Sequence, residues 1–280
     1  MPETSTSPAL PIPSIPCWEI LRRAWGISFT HALALVLAKF VVDIPYSIIS
    51  TGIQDPMISF RFSSFYEALV GGFVTLGIYR CILLLESEGT APTFSNVYAQ
   101  GIRYYSRNFR MNVLFGCYFL LIALGCFVLL SPGLWLNEQS PDYPSPPWFL
   151  MAGGLASTVL VSWWLLRTLF HNALLCDGAK GAVDAMDKTL ALTKRNTLTL
   201  LPIGLILSIM FSFVVSVSTF TRGLIFDHYS DLTLASARLV DLAFLLPYTF
   251  MEVFVAATMV LVYLHFRKYA HAQPVAVITT

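Results

Sequence analysis

Long apolar runs separated by short polar stretches set the pattern of this chain. Six runs reach the ~20 residues that a helix needs to cross a bilayer. They extend from about Trp25 to Ile49, Phe65 to Leu85, Met111 to Leu130, Trp148 to Phe170, Leu198 to Phe220 and Leu242 to Phe266. The runs are continuous. They lack the alternation over segments of ~10 residues that marks barrel strands. The pattern therefore predicts an all-α fold: a polytopic transmembrane bundle of six spans, occupying residues 17–268. A Pro-, Ser- and Thr-rich tail at 1–16 reads as disordered and cytoplasmic, and 269–280 as a short second tail.

The polar stretches differ from one another. Ser131 to Pro147 holds Pro132, Pro141, Pro144, Pro146 and Pro147 and reads as a loop with no room for a helix interior. In Gly181 to Asn196, Val183, Met186 and Leu190 recur at helical spacing, and Asp184 precedes Lys188 by four residues. That predicts an amphipathic helix on the inner membrane surface, with Met186 and Leu190 toward the bilayer, Asp184 and Lys188 toward water, and Lys194 and Arg195 at its basic end. Thr93 to Arg110 and Ser14 to Arg23 have a similar character, and each leads into a span. Each partner span carries adjacent small residues: Gly71–Gly72, Gly153–Gly154 and Ala256–Ala257. Together these suggest three helix-hairpin repeats with amphipathic lead-ins.

Composition sharpens the class. Hydrophobic residues make up 56% of the 280 and charged residues 12%, against about a quarter charged in soluble domains. So few charges cannot cover a soluble globule. With a net charge of +1, nucleic acid is not an expected partner. Lys and Arg collect on one side: Arg22, Arg23, Arg103, Arg107, Arg110, Lys180, Lys188, Lys194, Arg195, Arg267 and Lys268. Only Arg61, Arg222 and Arg238 fall on the other. The positive-inside rule makes the basic side cytoplasmic, with both termini there.

Candidate chemistry is sparse. The five cysteines (Cys17, Cys81, Cys117, Cys126, Cys176) form no CxxC pair, and the five histidines (His31, His171, His228, His265, His271) have no ligand spacing. No metal or cofactor site is expected, and no nucleophile-elbow, zinc-protease or nucleotide-binding motif occurs. Charges inside the spans are the best pointers, because they are costly there: Lys39, Asp43, Glu67, Arg80, Arg167 and Glu252. Lys39 and Asp43 can pair across one helical turn. Arg167 stacks with His171 at i and i+4. Glu252 is the expected partner of Arg167 from a neighbouring span, with Asp43 as its competitor. Each also has a plain reading as an ion pair, cap or snorkelling chain. A solute or ion pathway would run along Arg167, His171, Glu252, Lys39 and Asp43.

The stretch Leu174 to Ile203, LLCDGAKGAVDAMDKTLALTKRNTLTLLPI, resembles a segment of six-span bacterial proteins. These include the YciC-like inner-membrane proteins and the membrane domain of some glycerophosphodiester phosphodiesterases. Ser131-Pro132-Gly133 is similar to that group's Pro-Gly turn and Leu246-Pro247-Tyr248 to its Pro-Tyr. Arg195 stands where glycine is common, and Asp187 near the usual serine. The resemblance implies a six-helix fold in a bacterial inner membrane and carries over no catalytic residue. A phosphodiesterase barrel would need about 250 further residues.

The expected function is that of a non-enzymatic membrane protein. Its basic lead-ins would bind anionic lipid headgroups on the cytoplasmic side, or a protein partner or second copy of the chain. The alternative is a small-solute or ion transporter with a polar cavity inside the membrane. A membrane-embedded enzyme comes third.

Overall fold

The computed structural model describes residues 15–50, 58, 62, 65–139, 147–194, 196–228 and 234–272. Their elements are helical: α1 (Cys17–Thr30), α2 (Ala32–Ser50), a π-helical turn (Glu67–Gly71) running into α3 (Gly72–Glu88), α4 (Phe94–Gln139), α5 (Pro147–Arg167), α6 (His171–Cys176), α7 (Ala182–Lys194), α8 (Thr197–His228) and α9 (Leu234–Ala272). Six helices are long and apolar enough to cross a membrane. The protein is an integral, multi-pass membrane protein.

Helix α9 is the central post. Of its apolar window, 61% is buried within the protein, against 17% for α8 and 6% for α4. It packs against α1, α2, α3, α6 and α8. Helix α1 docks through Trp25, whose ring meets Phe250 and Phe254 edge-on at 5.1 and 5.9 Å. The T-shaped geometry suits the ring quadrupoles. Phe170 packs edge-on against Phe266 and tilted against Tyr263, farther along the same helix.

The most extensive helix pair is α3 with α4, and two glycines explain it. A Cβ on Gly77 would fall on the Val97 carbonyl, and one on Gly101 on the Phe73 carbonyl. Only glycine lets the two backbones approach so closely. Gly89 ends α3 in the left-handed conformation (φ 69°), and its N–H donates to the Leu85 carbonyl at 3.1 Å. The chain can then turn sharply into α4.

Several expectations need correction. The first apolar run divides at His31, so the span is Ala32–Ile49 and the lead-in α1 reaches Thr30 rather than Arg23. The lead-in before the third span is not a separate helix; it is the first part of the 46-residue α4. That helix runs through Ser131-Pro132-Gly133 to Gln139, so this tripeptide is not a turn. Residues 140–146 of the expected loop lie outside the described residues, as do 1–14 and 273–280 of the tails. Ile15 is already buried, and α9 continues to Ala272. The pairing of α3 with α4 joins the second span to the third, which the hairpin scheme placed in different units. Gly154 has nothing near its Cβ position, so that glycine is not a close-packing point.

Helix α7 forms where the sequence places an amphipathic helix, but its apolar face meets the bundle. Met186 is buried, Leu190 packs against the core from a half-buried position, and Val183 faces outward. Met186 turns inward because α4, α5, α6 and α8 all border the helix and offer protein contacts in place of lipid. Its polar side matches expectation. Lys188 pairs with Asp184 at 2.9 Å, and Asp184 also accepts from the Lys180 backbone N–H at 2.7 Å. The Lys188 hydrogen bond, with that N–H, holds the Asp184 carboxyl below its ordinary value. Lys194 lies exposed in the last turn. Arg195 lies outside the described residues.

Candidate functional site

Among the described residues, polar side chains from several helices meet in two places that bear on the site. The first begins on α2, where Lys39 and Asp43 share one face a turn apart. The Lys39 ammonium is 3.0 Å from Asp43 Oδ1 and 3.4 Å from Glu252 Oε2 on α9. Thr249, one turn before Glu252, donates to Asp43 Oδ2 at 3.4 Å. Lys39 is near the middle of the span Ala32–Ile49, and Glu252 is midway along Arg238–Lys268. Each charge alone would cost about 2.5–3.5 kcal/mol at that depth on insertion scales. Mutual pairing offsets the cost. The side chains of Lys39 and Asp43 are 2% and 7% exposed, and that of Glu252 is 27% exposed. The buried pair is shielded, while the third member keeps an open face.

That face borders a cavity of about 620 Å³. Glu252, Val255, Ala256 and Met259 supply its α9 wall, and Leu201, Gly204, Leu205, Ser208 and Phe211 its α8 wall. Thr75, Ile78 and Tyr79 of α3, Phe115 of α4 and Ser162 of α5 complete it, with Lys39 at the charged end.

The fourth span is broken where it borders the cavity. Helix α5 stops at Arg167 and α6 starts at His171, while Thr168, Leu169 and His171 line the cavity. The Thr168 hydroxyl donates back to the carbonyls of Trp164 and Leu165 at 3.0 and 3.3 Å. Such back-bonding competes with the helix ladder and favours a bend, and the Thr193 hydroxyl donates to the Arg167 carbonyl at 3.0 Å. His171 Nδ1 lies 2.7 Å from the Thr168 carbonyl. A carbonyl only accepts, so Nδ1 carries the proton. The ring packs 4.4 Å from Phe115. Interrupted backbone at membrane depth is tolerated where it is buried in protein or lines a cavity.

The second cluster clamps the turn after α6. Arg80 and Tyr104 both donate to the Cys176 carbonyl, at 3.2 and 3.3 Å. Arg107 donates to the Ala179 carbonyl at 3.1 Å. The Tyr263 hydroxyl and Arg267 both donate to Asp177 Oδ2, at 2.6 and 2.7 Å. Five side chains thus satisfy backbone or side-chain acceptors in a turn whose Gly178 adopts φ 95°. The Gly178–Gly181 stretch is the helix stop that its glycines suggest.

Of the expected pathway residues, Lys39, Asp43 and Glu252 come together and His171 lines the same cavity. Arg167 does not join them. Its guanidinium sits over the Trp163 ring at 5.6 Å, and among the described residues no carboxylate lies within ion-pair distance of it. The expected Arg167–Glu252 pair is replaced by Lys39–Glu252, and Asp43 is likewise engaged by Lys39. The side chain of Glu67 is outside the described ones. Among the described residues no cluster has the composition of a metal site. Sequence reasoning missed Thr249, Thr168 and the cavity wall of α8. Only Thr168 carried a signal, as a hydroxyl able to bond back to its own helix, three residues before His171. No family model, curated protein or solved structure matches the chain.

Proposed function

We propose that the protein is a non-enzymatic transporter whose solute occupies the cavity at the break in the fourth span. The single observation that carries this reading is the coincidence of three features: a broken span, a cavity of about 620 Å³ and a charged triad, all bordering the same space. Discontinuous helices meeting at the midplane are how transporters commonly bring polar backbone and charge to a solute. The volume lies within the range of small-molecule sites.

The distribution of cations favours a second, compatible role. Arg22, Arg103, Arg110, Lys180, Lys194 and Lys268 are all exposed. This set would face the cytoplasm and rest on anionic headgroups of a bacterial inner membrane.

The test is thermal unfolding of the detergent-purified protein against a panel of organic cations, organic anions and neutral amphiphiles. Ser162→Phe and Ser208→Trp fill the cavity from two different helices. At least one compound should raise the Tm of the native chain and of neither filled variant. Flux of that compound into proteoliposomes then separates a carrier from a receptor. If no compound acts, or if the shift persists in both filled variants, the reading fails.

A further inference from the structure

Arg167 lies inside the fourth span, and among the described residues no carboxylate is within ion-pair distance of it. Its Nε is buried without a hydrogen-bond partner. The reason is its direction. Leu155, Val159 and Trp163 recur every four residues ahead of Arg167 on α5, and all three are exposed. The cavity takes its α5 wall from Ser162, Leu165 and Leu166, on another face of the helix. Arg167 therefore ends a stripe that faces lipid. A long cationic side chain at the end of such a stripe lays its stem on apolar surface and carries its head toward the headgroups. A tryptophan one turn before it suits the same level.

The neighbouring helix supplies a second cation. The Thr193 hydroxyl donates to the Arg167 carbonyl at 3.0 Å. That contact ties the last turn of α7 to the end of α5, and the next residue, Lys194, is exposed. Among the described residues no carboxylate pairs with Lys194 either. The Arg167 guanidinium lies over the Trp163 ring at 5.6 Å. A guanidinium held over a ring still has N–H donors along its edge, in the fork that fits a phosphate.

We propose that Arg167, Lys194 and Trp163 form a binding site for the phosphate of one anionic phospholipid of the inner leaflet, whose acyl chains run along Val159 and Leu155. This rests on the reading of the exposed cations as a surface that meets anionic headgroups, and adds to it one defined site. A headgroup with its own cation, as in phosphatidylcholine, would set that cation against Arg167 and Lys194. The site therefore selects phosphatidylglycerol over phosphatidylcholine.

Native mass spectrometry of the full-length protein in detergent, titrated with either lipid bearing the same chains, counts the bound copies. The native chain should hold one phosphatidylglycerol more tightly than further copies, and more tightly than phosphatidylcholine. Arg167→Gln and Lys194→Gln should each weaken that first lipid about fivefold or more, and Arg167→Lys should keep part of the affinity. Arg22→Gln, on α1, should weaken it less than either. Lys194 is exposed, so its variant reads the site even if Arg167→Gln fails to fold. Undiminished binding of the first lipid by Arg167→Gln or Lys194→Gln would overturn the proposal. Displacement of the lipid by inorganic phosphate at equal concentration would overturn it too, and would make the ligand a free anion. If Arg22→Gln weakens binding as much as Arg167→Gln, the cations act as a diffuse surface: the headgroup reading stands and the site falls. If the native chain does not prefer phosphatidylglycerol at all, both fall.

Discussion

The two polar clusters of this bundle hold comparable numbers of charged groups but handle them in opposite ways. Around Cys176–Ala179, arginines and tyrosines from α3, α4 and α9 point at acceptors of one turn, and each finds a carbonyl or the Asp177 carboxylate. Around Lys39, two carboxylates share one ammonium, and one of the carboxylates still borders open space. The clamp turns its donors onto acceptors of one turn and fixes where α6 ends, with only the Arg80 Nε buried without a hydrogen-bond partner among the clamp's side chains. The triad places an ion-paired carboxylate at the wall of a cavity. The comparison separates a strut from a site: donors that end on the backbone of one turn hold the fold, whereas an ion-paired triad at a cavity wall can meet a solute.

The largest expected effect comes from removing the shared cation. Lys39→Met leaves two carboxylates at membrane depth without their ammonium. It should destabilise by about 3–5 kcal/mol, the usual cost of stripping one partner from a buried ion pair. Thermal unfolding in detergent measures this, and the clamp predicts a smaller loss. Arg107→Ala deprives the buried Ala179 carbonyl of its donor and should cost about 1–3 kcal/mol, the penalty of one unsatisfied buried acceptor. Equal losses would erase the distinction in energetic demand.

The smallest effect belongs to the surface pair on α7. The Asp184 carboxyl is held below its ordinary value of 3.8 by Lys188 and the Lys180 N–H. Its stabilising effect is therefore fully present above that value and is lost as acid takes the protein down through the lower folded value. Asp184→Asn should unfold slightly earlier than the native chain near neutrality, and the gap should close on acidification toward pH 3. A gap that widens in acid would reverse the sign.

The spans, their number and the Lys39–Asp43 contact are legible in the sequence because each depends on spacing within one helix. Partnership between helices is not. Position along a span follows from counting residues, and Glu252 does lie midway along its apolar window Arg238–Lys268. The direction of a side chain around a span depends on which neighbour its helix meets, and hydropathy does not encode that. Counting residues thus matches Arg167 with Glu252, whereas Arg167 turns to Trp163 and Lys39 takes the carboxylate. The tight α3–α4 crossing rests on single glycines, Gly77 and Gly101, 24 residues apart in sequence, whereas the sequence pattern marks the adjacent pairs Gly71–Gly72 and Gly153–Gly154. The break at Thr168 carries neither proline nor glycine, so no local rule announces it. The inward face of Met186 follows from helices that pack around α7, which its amphipathic pattern alone cannot distinguish from lipid.

Glu252→Gln and Asp177→Asn, measured side by side for Tm and for affinity toward a compound that stabilises the native chain through the cavity, test the distinction between site and strut most directly. Glu252→Gln leaves a neutral Lys39–Asp43 pair. It should keep a Tm near that of the native chain while losing about tenfold or more in affinity. Asp177→Asn weakens the hold of Tyr263 and Arg267 on the turn. It should lower the Tm and leave the affinity of the folded protein unchanged. If Glu252→Gln instead lowers the Tm and spares binding, or if stability and affinity fall together in both variants, the triad is a strut like the clamp.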